Sequence, residues 1–102
     1  MKKLIHTAVL VTALGVAPVH AGDAGAGAGA YAARGCVGCH GASGKAPIAA
    51  NYPVIGGKDA AFIAGELKKF KSGERKEPTM NAMAATLSDA DVANISAYLA
   101  TQ

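Results

Sequence analysis

The run Cys36-Val37-Gly38-Cys39-His40 holds both cysteines of this 102-residue sequence, and it is where chemistry is most concentrated. On a helical turn, positions i, i+3 and i+4 share a face, so two thiols and one imidazole would point together at a single object. C-x-x-C-H is the pattern of covalent haem attachment, in which the thiols reach two vinyl groups and the imidazole reaches the iron. Other chemistries fit less well. A catalytic disulfide usually comes with a βαβ pattern, and nothing here alternates with the period of a strand. Zinc calls for about four N or S ligands, and this run supplies three. A structural disulfide across two intervening residues would close so short a loop that it would constrain the unfolded chain little.

The remaining histidines, His6 and His20, fall in a segment that reads as an address. Lys2 and Lys3 precede an apolar run from Leu4 to Ala17, and the segment closes with Val19-His20-Ala21. That is the charged, apolar and small-residue succession of a secretory signal peptide. A membrane anchor would need roughly 20 apolar residues, more than this run offers. The expected division is therefore 1–21 as a leader cleaved after Ala21, and 22–102 as one exported, periplasmic domain. An 81-residue domain has no room for a doubly wound sheet or a two-domain catalyst. It carries eight Lys and Arg against seven Asp and Glu, so it is nearly neutral and gives no argument for nucleic acid.

In such a domain His40 is the sole histidine, which excludes bis-histidine ligation of iron within one chain. A thioether is the natural sixth partner, and His/Met ligation suits an electron carrier because it raises the reduction potential. Met80 follows Pro78-Thr79 in a stretch with few helix cues, so a loop could deliver it to the iron from the face opposite His40. Met83 lies among Ala82, Ala84 and Ala85, which suit a short helical turn, and ordinary core filling is the commoner role of methionine. The residues favour Met80 as the ligand, with Met83 as the alternative.

Three segments carry helical signals that would position these groups. Residues 23–34 read Asp-Ala-Gly-Ala-Gly-Ala-Gly-Ala-Tyr-Ala-Ala-Arg, where each glycine costs up to about 1 kcal/mol relative to alanine, so a flexible linker competes over 22–27. Over 59–71, Phe62, Ile63, Leu67 and Phe70 form one stripe, and Ser72-Gly73 supplies a stop. From Asp89 to about Thr101, Ser88 and Asp91 form a capping box ahead of Val92, Ile95 and Leu99. Between them, 41–57 holds Pro47, Pro53 and four glycines, as expected of a segment wrapped around a flat cofactor. With five large aromatics and many alanines, the core is thin unless a haem fills it.

The succession Cys36 to Gly41, Tyr52-Pro53-Val54-Ile55-Gly56-Gly57, Met80, Leu87-Ser88-Asp89-Ala90-Asp91 and Tyr98-Leu99 resembles class I c-type cytochromes, specifically the small bacterial periplasmic ones. The resemblance spans about 23–99. It implies an all-α cytochrome c fold of three to four short helices around one covalent haem c. It further implies Cys36 and Cys39 as thioether links, His40 and Met80 as iron ligands, and Pro53 as the carbonyl that accepts from the His40 ring, with Pro47 as its rival. The sequence departs from the family in its first helix, which would cross the last one near Tyr98. There Gly29 and Tyr31 lie one position off the usual spacing, with Gly35 as the extra residue.

The expected function is one-electron transfer in the periplasm, with no substrate site at the haem and hence no enzymatic activity. The alternative is a haem subunit docked to a dehydrogenase such as a flavoprotein. Lys68, Lys69, Lys71, Arg75 and Lys76 could steer it to an acidic partner, although interleaved Glu66, Glu74 and Glu77 weaken that field. Redox proteins of the periplasm are the expected partners, met as a monomer.

Overall fold

A computed structural model describes residues 2–5, 7–9 and 22–102. His6, His20 and the expected cleavage point after Ala21 lie outside the described residues. Among those described there are five α-helices, one 3-10 turn and no strand: α1 (Ala24–Ala33), α2 (Cys36–His40), the 3-10 turn Ala42–Gly44, α3 (Ala60–Ser72), α4 (Pro78–Ala85) and α5 (Asp89–Ala100). The all-α expectation thus holds, with a larger number of helices than three or four.

The Gly/Ala segment is helical from Ala24 onward, against the linker alternative. Asp23 caps it, its carboxylate accepting from the Gly25 and Ala26 N–H groups at 2.8 and 3.2 Å. The capping offsets only part of a glycine cost of roughly 3 kcal/mol, and tertiary packing supplies the rest. Helix α1 lies against α5 so closely that a β-carbon on Gly27 would stand 1.9 Å from the Asn94 carbonyl oxygen. One turn on, the Tyr31 and Tyr98 rings meet with centroids 5.5 Å apart. Arg34 and Asp91 pair at 3.2 Å, and the Asp23 N–H donates to Asn94 Oδ1 at 2.9 Å. The crossing glycine is therefore Gly27 and not Gly29, whose β-carbon would meet nothing within 4 Å. Gly27 and Tyr31 stand four apart and share a face, whereas Gly29 points away.

Gly27→Val is expected to force the helices apart. Overpacking costs about 3 kcal/mol at a site walled by backbone, which lowers the melting temperature by roughly 12 °C or more in a domain this small. Gly29→Ala should instead raise it slightly, by removing a helix glycine. Thermal denaturation followed at 222 nm checks both, and a Gly27→Val variant as stable as the parent would refute the close crossing.

Helices α3 and α5 follow their sequence signals. Asp59 caps α3, and Gly73, at φ 80°, ends it in the left-handed conformation. The Ser88/Asp91 capping box starts α5. The buried cluster comprises Tyr31, Ile63, Leu87, Val92, Ile95 and Leu99. Phe62, expected on the α3 stripe, is 54% exposed and, like Ile63, Leu67 and Phe70, lines the cavity described below.

Helix α4 differs most from expectation. Met80 sits within a helix and not on a loop. Pro78 occupies the first turn, where its fixed φ suits a helix and its missing N–H costs nothing, and the Glu77 carboxylate accepts from the Met80 N–H at 2.6 Å. Met80 and Met83 stand three apart on that one helix.

Candidate haem-binding site

A cavity of about 440 Å³ opens between α2, the 41–57 segment, α3, α4 and α5. Cys36, Cys39, His40, Pro53, Met80 and Met83 all line it, and Pro47 does not. Of the six residues in the buried cluster, Tyr31, Ile63, Leu87, Ile95 and Leu99 also face this cavity, so the core and the cavity wall are largely the same side chains.

Helix α2 explains why the two cysteines and the histidine arrive together. It is little more than one turn long, and Gly35 enters it at φ 80°. His40 is buried, and its Nδ1 lies 3.1 Å from the Pro53 carbonyl oxygen. A carbonyl can only accept, so Nδ1 carries the proton and donates, leaving Nε2 with the free lone pair. The ring of Tyr52 stands edge-on to the imidazole, with centroids 6.3 Å apart.

The segment that carries Pro53 is tied down at several points. Gly41, at φ 78°, allows an approach to Ala46 so close that a β-carbon would stand 1.9 Å from its carbonyl oxygen. The Tyr31 hydroxyl donates to the Gly41 carbonyl at 2.6 Å. Burial pushes that hydroxyl up to about 12 from 10.0, with lesser contributions from Cys36 and Tyr98, so it holds its proton and keeps donating at ordinary pH. Further along, the Ile48 N–H donates to the Cys39 carbonyl at 3.1 Å, and the Gly57 N–H to the Leu99 carbonyl at 2.8 Å.

The donor set and the walls fit a haem. Two thiols, one imidazole with a free nitrogen and two thioethers face a volume within the roughly 300–1,000 Å³ of cofactor and ligand pockets. The surrounding surface is predominantly apolar, with Ile63, Leu67, Phe70, Leu87, Ile95 and Leu99 among its walls, as an apolar macrocycle requires. Burial pushes the Cys36 thiol up from its ordinary value, which disfavours the thiolate that disulfide exchange uses.

Comparison with known proteins gives the same answer. The sequence profile of the family described as Cytochrome c matches residues 24–102. The chain belongs to the cytochrome c family. It is 36% identical to cytochrome c4 of Pseudomonas aeruginosa over 102 residues, which is all of this chain and 49% of that protein. It is 40% identical over 87 residues to cytochrome c-554(548) of Halomonas halodenitrificans, covering 80% of this chain and 99% of that one. It is also 40% identical over 68 residues to a thiosulfate dehydrogenase electron acceptor of Stutzerimonas stutzeri, covering 67% of this chain and 32% of that one. The chain thus spans about half the length of cytochrome c4 and about a third of that acceptor. Membership in the cytochrome c family brings with it a covalently attached haem c and its iron, and with them electron-transfer chemistry.

Three residues at this cytochrome c site escaped the sequence reading. Tyr52 was legible only as part of a motif, and nothing in its neighbours signals a contact with His40. Glu77, followed by Pro at the first helical position, is a helix-start signal that could have revealed α4. Asn81 carries no local signal at all, because its three partners are backbone groups four to eleven residues away.

Proposed function

We propose that this cytochrome c is a periplasmic one-electron carrier with His40 and Met80 as the axial ligands of a haem tethered through Cys36 and Cys39. Residues 1–21 serve as the export leader, cleaved after Ala21, and 22–102 form the monohaem domain. The observation that carries this reading is the convergence of both thiols, the imidazole and the Met80 thioether on one cavity. Bound there, the haem supplies iron that alternates between the ferric and ferrous states, one electron at a time.

The protein's own residues do the rest. The Pro53 carbonyl fixes the tautomer and orientation of His40, keeping Nε2 available and raising its basicity. Met80 would supply the second protein ligand to the iron, which would leave no position there for a substrate. The apolar walls exclude water, which favours the less charged reduced form, and the tied 41–57 segment moves little when the charge changes. A reduced-minus-oxidised visible spectrum of the exported protein tests this reading. A low-spin c-type spectrum that carbon monoxide leaves unchanged is expected, and a high-spin, five-coordinate ferrous spectrum would reject it.

A second reading, a haem subunit docked to a dehydrogenase, draws support from relatives named thiosulfate dehydrogenase electron acceptor. The basic cluster favours it little. Glu66 accepts from Arg75 at 2.6 Å and pairs with Lys69 at 3.5 Å, and those cations, Arg75 first, hold its carboxyl below the ordinary value. Lys71 Nζ donates to the Leu87 carbonyl. With these cations engaged locally, electron-transfer rates should vary less than about threefold with ionic strength, against the roughly 10- to 1,000-fold effect of electrostatic steering. A steep decline with salt would favour docking through this patch.

A further inference from the structure

We infer that Asn81 is a positioning residue, which clamps the start of α4 onto α3 and so holds Met80 where the iron needs it. Its side-chain Nδ2 donates to two carbonyls, Phe70 in the last turn of α3 and Arg75 in the connection, each at 2.8 Å. Its Oδ1 accepts from the Glu77 N–H at 2.9 Å. Two carbonyls demand donors and an N–H demands an acceptor, so the orientation of the amide is fixed by its partners. No other side chain of natural type offers both functions at this reach.

The clamp is reciprocal around Met80. Asn81 holds the Glu77 N–H, and the Glu77 carboxylate holds the Met80 N–H at 2.6 Å. Asparagine is a weaker helix former than alanine or leucine, so its place inside α4 costs helix stability that the three hydrogen bonds offset. Such a tie matters to an axial thioether because the fraction of molecules in which the methionine has swung away sets the apparent affinity of any competing ligand. Loosening the clamp raises that fraction.

The inference rests on the ligand reading above, and the test separates the two. Imidazole is titrated into the ferric, haem-loaded parent, Asn81→Ala, Asn81→Asp and, as a control on a different helix start, Ser88→Ala. Amide hydrogen exchange is measured over 77–85 in each. Asn81→Ala is expected to bind imidazole about tenfold more tightly and to exchange faster over 77–85. Asn81→Asp, which keeps the acceptor but sets a carboxylate oxygen against the two carbonyls, should bind imidazole at least as tightly as Asn81→Ala. Ser88→Ala should leave imidazole affinity unchanged. Parental affinity in Asn81→Ala, or equal tightening in Ser88→Ala, would overturn the clamp. If Asn81→Ala does not fold, Asn81→Asp decides by the same criterion. Should the thioether prove to come from Met83, the faster exchange and tighter imidazole binding in Asn81→Ala would still support the clamp, while Met80 as ligand would fall.

Discussion

Met80→Ala is expected to abolish the thioether-to-iron absorption band, to lower the reduction potential by on the order of 0.1 V, and to let carbon monoxide bind the ferrous protein. Met83→Ala should keep the band. Both methionines line the cavity from the same helix, so proximity alone does not choose between them. Packing does. The Met83 Cε lies 3.3 Å from where a Gly35 β-carbon would stand, so Met83 fills the space at the entry to α2. Its truncation would open a hole at that junction and cost roughly 2 kcal/mol of stability. Met80 sits in the first turn of α4, where Glu77 and Asn81 hold the backbone on either side of it. Visible spectra and potentiometry of the two variants check the assignment. A band that survives Met80→Ala and vanishes in Met83→Ala would reverse it.

The paired substitution Cys36→Ser and Cys39→Ser should cost the protein most of its fold. Five of the six residues in the buried cluster line the cavity, and Phe62 and Val54 line it while standing 54% and 46% exposed. A haem held there covalently would cover those two side chains and add contacts to the cluster. Without the tether, the remaining contacts are those of α1 with α5 and of α3 with its neighbours, too few to offset the conformational entropy of so small a domain. The double variant, purified from the periplasm, is expected to show little helical ellipticity and no cooperative thermal transition. A haem-free variant that melts cooperatively near the parental temperature would show that the polypeptide supports its own core.

How much of this was legible in the sequence depended on how local each cause was. The C-x-x-C-H run is one helical turn, and its chemistry is contained in its spacing. Helices α3 and α5 announce themselves through Asp59, Gly73, Ser88 and Asp91, whose capping bonds reach no further than three residues. Helix α4 was legible only as a short turn around Met83, because Thr79 and Asn81 are indifferent helix formers and the element depends on a distant tie to α3. The choice of Gly27 over Gly29 was hidden for a related reason. The family comparison pairs Gly29 with Tyr31 at an offset of one, whereas the face that meets Asn94 is settled by helical phase relative to Tyr31.

The α1–α5 crossing also orders events in time. Asp23 and Asn94, which bond across it, are 71 residues apart, and α1 on its own is ten residues with three glycines, too short and too weak to persist alone in water. A chain that crosses a membrane N-terminus first therefore presents α1 long before its partner emerges. Until Asp89–Ala100 arrives, α1 lacks the helix it packs against, and the cysteine run that follows it is held by local contacts alone. Helix α5 thus acts as a latch for the first helix and for the cysteine turn beside it.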